Sequence, residues 1–431
     1  MAAIATGPAP GAVGIVRLSG PQSWPILQSL CALQTPPLPR QARLVKARDE
    51  KGAVLDEGLA LAFKAPASYT AEDAVELQMH GNPYILDAIL QRCIALGARL
   101  ALPGEFSQRA FENGQLDLAQ AEAVADLIAA ESEDAARAAQ QSLQGVFSQQ
   151  CEELAVDTLS LRSLIEAWLD FPEEDIGLAQ REDWARRVDE LRHRLQTLAQ
   201  QAETGVRLTQ GMDVLLVGAP NAGKSTLLNA LARREVAIVS DLAGTTRDLV
   251  SEHLRLNGVP VRIIDSAGLR ESSDPIEQMG VQRAHAAAQT ADRIIALDAP
   301  DAPLPELPAS WEPRVLRVHN KCDALNQAAG WQGGELHLSA KTGAGLDQLA
   351  LAVAGRQPRQ SGFSARRRHL EALALAEQHL AQCQPQLAEV NTLELAAEEL
   401  RCAQESLSEI TGEVHTEDLL GAIFSTFCIG K

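Results

Sequence analysis

Val214-Leu215-Leu216-Val217-Gly218-Ala219-Pro220-Asn221-Ala222-Gly223-Lys224-Ser225 is the stretch on which the fold turns. The short apolar run reads as a buried strand, and Gly218 to Ser225 fits the pattern G-x-x-x-x-G-K-[ST]. Thr226-Leu227-Leu228-Asn229-Ala230-Leu231 then has helical character. Strand, glycine-rich loop and helix in this order are the context in which such a loop grips phosphate. Its glycines let backbone N–H groups turn inward, and the helix N-terminus adds partial positive charge. Asn221, Ala222, Gly223, Lys224, Ser225 and Thr226 are the candidate phosphate ligands. Lys224 brings a point charge to β and γ phosphates, and Ser225 a hydroxyl for magnesium.

Three further elements follow downstream. Gly244-Thr245-Thr246-Arg247-Asp248 offers a second hydroxyl, Thr246, to magnesium. Asp265-Ser266-Ala267-Gly268 ends a strand-like run, with a carboxylate for the metal region and Gly268 for the γ-phosphate. Asn320-Lys321-Cys322-Asp323 ends another, and Asp323 there can accept from both guanine N1–H and the exocyclic amine. Adenine lacks that donor pair, so a buried carboxylate would be left unpaired against it. Ser339-Ala340-Lys341 is placed to put a backbone N–H on guanine O6. The four elements together imply a site that binds and hydrolyses GTP.

Outward from this region, Val261–Asp265, Ile294–Leu297, Val315–Val318 and Leu336–Leu338 read as strands separated by helices. That alternation predicts a mostly parallel, doubly wound α/β sheet of the Ras-like kind over 211–357. Asn257-Gly258 is a type I′ hairpin signal. Residues 118–210 are helical in pattern: Leu118, Ala121, Ala125 and Ile128 keep helical spacing, as do Leu161, Leu164, Ile165, Trp168 and Leu169. Phe171 to Asp175 break the pattern, and a further helix is expected to about Glu203. From about 358 the chain is helical again to about 410. Residues 1–117 mix strands at 13–18 and 59–63 with a helix opened by Asn82-Pro83 and ended by Gly97, an α+β pattern. The simplest architecture is an α/β domain inserted between the halves of a helical domain (118–210 and 358–431), after an N-terminal α+β domain.

The chain has 431 residues, more than one core accommodates, so two or three domains are expected. Its 38 basic against 57 acidic residues give −19, which does not suggest bulk nucleic-acid binding; RNA contact would need a local basic patch. Arg366-Arg367-Arg368 is a candidate for one, or a solvated helix start. The seven cysteines form no C-x-x-C pair, which suits reduced thiols and a cytoplasmic location. No apolar run reaches membrane-spanning length, and Met1-Ala2-Ala3-Ile4 does not open a secretory signal.

Small switch GTPases often carry a glutamine after the Asp-x-x-Gly element. Leu269 stands there and cannot orient water, so another group is needed; Glu271, Asp274 and Glu277 lie just downstream.

At this level the chain resembles the bacterial tRNA modification GTPase MnmE (TrmE) family, nearly end to end. The resemblance rests on Gly14 to Gly20, Glu72-Asp73 with Glu76 and His80-Gly81, Pro103-Gly104-Glu105-Phe106, Asn113-Gly114 and Asp117 to Ala123. It continues through the nucleotide motifs to Phe427-Cys428-Ile429-Gly430-Lys431. It implies a homodimer that works with the flavoprotein GidA (MnmG), as a heterotetramer, on tRNA. An aminomethyl or carboxymethylaminomethyl group is then placed on C5 of the wobble uridine. The one-carbon unit comes from a formyl or methylene tetrahydrofolate held by the N-terminal domain, which also dimerises. The resemblance further implies dependence on potassium, held by Asn221, by the backbone carbonyls of Ser240 and Leu242 and by Thr245; Ser240 also falls in the nucleotide site. Glu277 matches the glutamate that orients the attacking water, although spacing alone reads equally as a solvated carboxylate. Arg17, Glu76 and Lys431 match folate contacts, and Gln115 stands where the family usually has lysine. Ser266 and Leu102 replace a usual threonine and arginine. Cys428 reads as a functional thiol or as a small buried residue. The rival readings are a regulatory GTPase switch in ribosome assembly and a nucleotide-binding scaffold without catalysis.

Overall fold

The computed structural model describes residues 1–35, 37–170, 178–234, 251–265, 286–304, 306–355 and 362–430. The chain forms two compact units. One comprises Met1–Ala125, Ser142–Gln196 and Glu371–Lys431, the other Asp126–Gln141 and Thr197–Leu370.

In the first unit, β1 (Ala2–Ile4), β2 (Gly11–Ser19), β3 (Arg43–Arg48), β4 (Val54–Phe63) and β5 (Ala74–Gly81) form an antiparallel sheet of order β1-β2-β5-β4-β3. Strand side chains alternate between faces. Val16 and Leu18, Val45 and Ala47, Ala60 and Ala62, and Val75, Leu77 and Met79 therefore share the face covered by α1 (Ser23–Cys31) and α2 (Pro83–Ala95). Ile26, Leu27, Leu30, Leu86, Ile89 and Cys93 supply the helical side of that core. The α2 start follows its sequence signal: the Asn82 side chain accepts from Tyr84 N at 2.9 Å, and Pro83 occupies the first helical position. β1, β3 and β5 are additions to the two strands expected in 1–117.

The helical part of this unit is built from α6 (Val146–Leu169), which packs along α11 (Leu393–Thr411). Cys151, Leu154, Leu161 and Ile165 are buried on the first, and Leu400, Leu407 and Ile410 on the second. Leu420, Ile423 and Phe424 of α12 (Glu417–Ser425), with Phe427, close over Leu118 and Ala121 of α4 (Leu118–Ala129). The helix expected to about Glu203 is α7 (Leu178–Gln210), and α10 (Arg367–Gln386) begins the second helical stretch.

The second unit holds a seven-stranded sheet of order β11-β12-β10-β9-β6-β8-β7. Its strands are β6 (Met212–Val217), β7 (Ser251–Leu256), β8 (Val259–Asp265), β9 (Arg293–Asp298), β10 (Val315–His319), β11 (Gly330–Gln332) and β12 (Glu335–His337). The central pairs are parallel, and β7 and β11 add antiparallel edges. Val214 and Leu216 face α8 (Lys224–Arg234) and α9 (Leu346–Ala354), while Leu215 and Val217 face Ala287, Ala288, Ala291 and Trp311. Burial on both faces is why β6 reads as an unbroken apolar run rather than an alternating one. At the β7–β8 turn Asn257 has φ +50° and Gly258 φ +82°, the left-handed pair that a type I′ hairpin needs.

Candidate functional site

In a doubly wound sheet, loops at the carboxyl ends of parallel strands form the ligand crevice. The motif residues sit there. The Gly218–Ser225 loop leaves β6, Asp265 ends β8, Asn320 follows β10, and Ser339 follows β12. Asn221 adopts φ +66° and Gly223 φ +95°, so the loop folds back on itself before α8 begins. Lys224 is buried, and its Nζ donates to the carbonyls of Gly218 and, at 3.0 Å, Ala219. Asn221, Ser225 and Thr226 are exposed. A Cβ at Gly218 would lie 2.3 Å from the Leu297 carbonyl oxygen, which makes glycine a packing requirement at the strand end.

Asn320 is the centre of the site, and it is 4% exposed. Its Nδ2 donates to the Ala222 carbonyl at 2.9 Å. Its Oδ1 accepts from Lys321 N at 2.8 Å and from Ala340 N at 3.0 Å. One side chain thus ties the phosphate loop to the two segments expected to read the base. A Cβ at Gly223 would lie 2.3 Å from Asn320 Nδ2, so Gly223 gives the amide its room. Ser339 is fully buried, accepts from Thr342 N at 3.2 Å, and anchors the turn that carries Ala340 and Lys341.

The Asn320–Asp323 turn has its own supports. Lys321 adopts φ +62°, and its Nζ meets both carboxylate oxygens of Asp301 at 2.7 and 2.9 Å. Lys321 holds the Asp301 carboxyl below its ordinary range. Cys322 N donates to the Leu338 carbonyl at 3.1 Å. Asp323 is exposed rather than buried.

Ser240, Leu242, Thr245, Thr246, Ser266, Gly268, Leu269, Glu271, Asp274, Glu277 and Lys431 lie outside the described residues, as does the side chain of Asp265.

In the first unit, Arg17 and Glu76 are partners in register across β2 and β5. They lie on the face opposite the core. Arg17 Nε donates to Glu76 Oε1 at 2.9 Å, and a second guanidinium nitrogen lies 2.8 Å from the same oxygen. The guanidinium also stands 5.6 Å from the ring centroid of Phe106 and 5.9 Å from that of Tyr69. Phe106 belongs to α3 (Glu105–Glu112), whose position is set by an ionic cluster that sequence reasoning missed. Glu105, 5% exposed, accepts from Arg99, from Leu102 N at 2.8 Å and from Arg109 at 2.8 Å. Arg109 also reaches Glu72 at 2.8 Å, and Ser19 Oγ donates to Glu72 at 2.6 Å. Burial alone would raise the Glu105 pKa; the bonds from Arg99, Leu102 N and Arg109 outweigh it and hold the carboxyl at about 2.

The C-terminal residues lie along the same helix. Pro103 bridges Ile429, and Gly104 N donates to the Cys428 carbonyl at 3.4 Å. A Cβ on Gly104, whose φ is +65°, would sit 2.7 Å from the Phe424 carbonyl oxygen. Cys428 itself is exposed, which removes the buried-residue reading. Gln115 is exposed in the turn after α3, where its N–H donates to the Ala110 carbonyl at 2.8 Å. Arg366 pairs with Asp126 at 2.8 Å, and the exposed Arg367 with Asp292 at 3.5 Å. All seven cysteines are free thiols, with Cys31, Cys93 and Cys383 pushed up to about 12 by burial. Among the described residues, no helix is long and apolar enough to cross a membrane, and no group of three or more His, Cys, Asp or Glu is placed to hold a metal ion.

The family model described as GTP-binding protein TrmE N-terminus matches residues 1–115, and that of the MnmE helical domain matches residues 118–428. The tRNA modification GTPase MnmE of Thiobacillus denitrificans is 49% identical, over 100% of this chain and 98% of its own. Those of Stutzerimonas stutzeri and Neisseria meningitidis serogroup A are 47% and 48% identical at the same coverage. The solved G domain of the T. maritima FeoB iron transporter aligns with 34% of this chain and 99% of its own, at 20% identity and a TM-score of 0.23, too low to bear on the fold. With full-length relatives near half identity and family models over both its N-terminal and helical parts, the chain belongs to the tRNA modification GTPase MnmE family.

Proposed function

We propose that the protein is a potassium-dependent GTPase that acts with GidA (MnmG) on tRNA in the cytoplasm. There it adds an aminomethyl or carboxymethylaminomethyl group to C5 of the wobble uridine. The observation that carries this reading is the Asn320 amide, which joins the phosphate loop to the Lys321 and Ala340 backbone. Base and phosphates of one guanine nucleotide are then held by a single hydrogen-bonded unit. Asp323 accepts from N1–H and the exocyclic amine, and Ala340 or Lys341 supplies an N–H to O6. Lys224 exchanges its loop carbonyls for β and γ phosphate oxygens.

The donor set fits the cations the family implies. Ser225, exposed at the first turn of α8, and Thr246 are hydroxyl ligands suited to magnesium. Asn221, exposed on a left-handed backbone, brings a neutral amide oxygen for potassium, with Thr245 and the carbonyls of Ser240 and Leu242. A cation bound there would neutralise charge that develops between the β and γ phosphates. Glu277 orients the attacking water in place of the glutamine that Leu269 replaces. Arg17, Glu76 and Gln115 of the N-terminal domain, 1–117, together with the C-terminal Lys431, hold the tetrahydrofolate derivative, and the N-terminal domain dimerises. The nucleotide domain, 211–357, interrupts a helical domain, 118–210 and 358–431, and hydrolysis is activated when two nucleotide domains meet. Cys428, exposed beside the start of α3, is a thiol available to this chemistry.

Two measurements test the reading. GTP turnover in potassium should exceed that in sodium by at least about tenfold, the size of a modest charge-neutralising effect. Equal slow rates would instead favour a regulatory switch. In cells that lack the gene, wobble uridines should lose the C5 group; normal modification there, without a second gene copy, would defeat the tRNA assignment.

A further inference from the structure

The last residue of β10 before the base-reading turn is His319, and both of its ring nitrogens meet carboxylates. Nδ1 lies 2.7 Å from Asp298 Oδ1 on β9, and Nε2 lies 2.7 Å from Glu335 Oε2 on β12. His319 is in parallel register with Asp298 and with His337, whose ring centroid stands 4.6 Å away. One imidazole therefore bridges the last residues of β9 and β10 and the first residue of β12. Asp298, His319 and Glu335 are all partly solvated, at 24%, 29% and 43% side-chain exposure. An ionised carboxylate only accepts, and a neutral imidazole donates from one nitrogen alone. A ring that donates to both carboxylates at once is the doubly protonated one.

Two of these strands, β10 and β12, lead into the nucleotide motifs. Asn320 N donates to the Asp298 carbonyl at 2.9 Å, and Leu338 N donates to the His319 carbonyl at 2.8 Å. Ala340, two residues beyond Leu338, donates to Asn320 Oδ1. We infer that His319 is a positioning residue for guanine-nucleotide binding, its imidazolium clamping β9 and β12 onto β10 at the root of the Asn320–Asp323 and Ser339–Lys341 turns. This rests on the guanine-nucleotide reading above. Loss of the proton leaves one carboxylate facing a lone pair, and that side of the clamp opens.

The direction of the pH effect follows. Burial alone would lower the His319 pKa; the bonds to Glu335 and Asp298 outweigh it and raise it above the ordinary histidine value. A raised folded-state pKa gives a contribution that is complete below the ordinary value of 6.5 and fades as pH climbs through the raised one. Among the described residues, Asp298 on β9 and Glu335 and His337 on β12 are the titratable groups that face the ring; Lys321 of the following turn is engaged by Asp301.

The test is the affinity of N-methylanthraniloyl-GDP from pH 6.0 to 8.5 for the full chain and two variants. The native chain should weaken by about fivefold or more across this range, the size of a fraction of one pKa unit to one unit. His319→Arg keeps charge and two-sided donation, so it should bind as tightly as the native chain at pH 6.0 and stay flat to pH 8.5. His319→Gln should be flat and weak throughout. A native profile as flat as that of His319→Arg, with binding intact, would overturn the role of His319. No binding by the native chain at any pH would overturn the nucleotide reading itself.

Discussion

Asn320 Nδ2 donates to the carbonyl of Ala222 at 2.9 Å, across 98 positions of sequence. The bond joins the end of β10 to the loop after β6, two strands apart in the sheet. Asn320→Ala would leave the Ala222 carbonyl and the Ala340 N–H without this partner in a buried setting. Each unmade bond costs about 1–3 kcal/mol, so GDP affinity should fall on the order of 10²-fold or more. Equilibrium binding of a fluorescent GDP measures this; retention within threefold would show the post to be dispensable.

Gly223→Ala introduces a Cβ at 2.3 Å from Asn320 Nδ2 on a backbone at φ +95°. Both the contact and the dihedral disfavour it, at a cost of about 1–3 kcal/mol. Guanine-nucleotide affinity should drop at least about tenfold. The thermal transition of the nucleotide-free protein should move down by no more than a few degrees, and loss of the folded state instead would place Gly223 in the fold rather than the site.

Acid should loosen the α3 cluster. The Glu105 carboxyl sits at about 2 in the folded chain against an ordinary 4.5. Its contribution is complete above 4.5 and is lost as pH falls from there through about 2, a change on the order of 3 kcal/mol. Glu105→Gln should lower stability at pH 7 and flatten the acid limb of a urea-unfolding series between those values. An unchanged acid limb would refute the assignment.

The Arg17–Glu76 pair can be broken from either side. Arg17→Met keeps the stem that lies toward Phe106 and removes the charge; Glu76→Gln keeps the shape and removes the acceptor charge. Each should weaken binding of 5-formyltetrahydrofolate by about tenfold or more, as loss of a charge-assisted bond does. GTP turnover in potassium should remain within twofold. Calorimetric titration with the folate decides it, and unaltered affinity in both variants would remove the pair from the ligand site.

Asn221→Ala should abolish most of the potassium stimulation of GTP turnover while leaving GDP affinity within a few-fold. Glu277→Ala should slow turnover on the order of 10²-fold, the scale of losing a group that orients the attacking water. Steady-state rates in potassium and sodium separate the two. A potassium response intact in Asn221→Ala would move the cation elsewhere.

The nucleotide unit was legible in the sequence because its signals are local. Buried parallel strands show as apolar runs, Asn257-Gly258 marks its own hairpin, and Gly218 to Ser225 sits between a strand and a helix. The first unit was less legible. β5 carries Glu76 and Gln78 among its apolar residues, and β3 is a short edge strand rich in arginine and lysine, so neither reads as a buried run. The Glu105 cluster draws on residues 19, 72, 99, 105 and 109, a proximity that only the folded chain creates. Asn320 was singled out as a base-reading motif residue; its task as a post between loop and turn was hidden, since a motif names residues but not what each amide touches. His319 was missed for the same reason: a histidine beside the motif shows no partner until β9 and β12 lie against β10.

The two faces of the antiparallel sheet answer to different demands. Val16, Leu18, Val75 and Leu77 satisfy the interior, whereas Arg17 and Glu76, one position over, meet whatever approaches from the other side. Substitutions on the outward positions could retune ligand preference while the hydrophobic foundation stays untouched. Deleting a single residue within β2 would do the reverse, sending the guanidinium inward and a valine outward, so that folding and recognition would fail together.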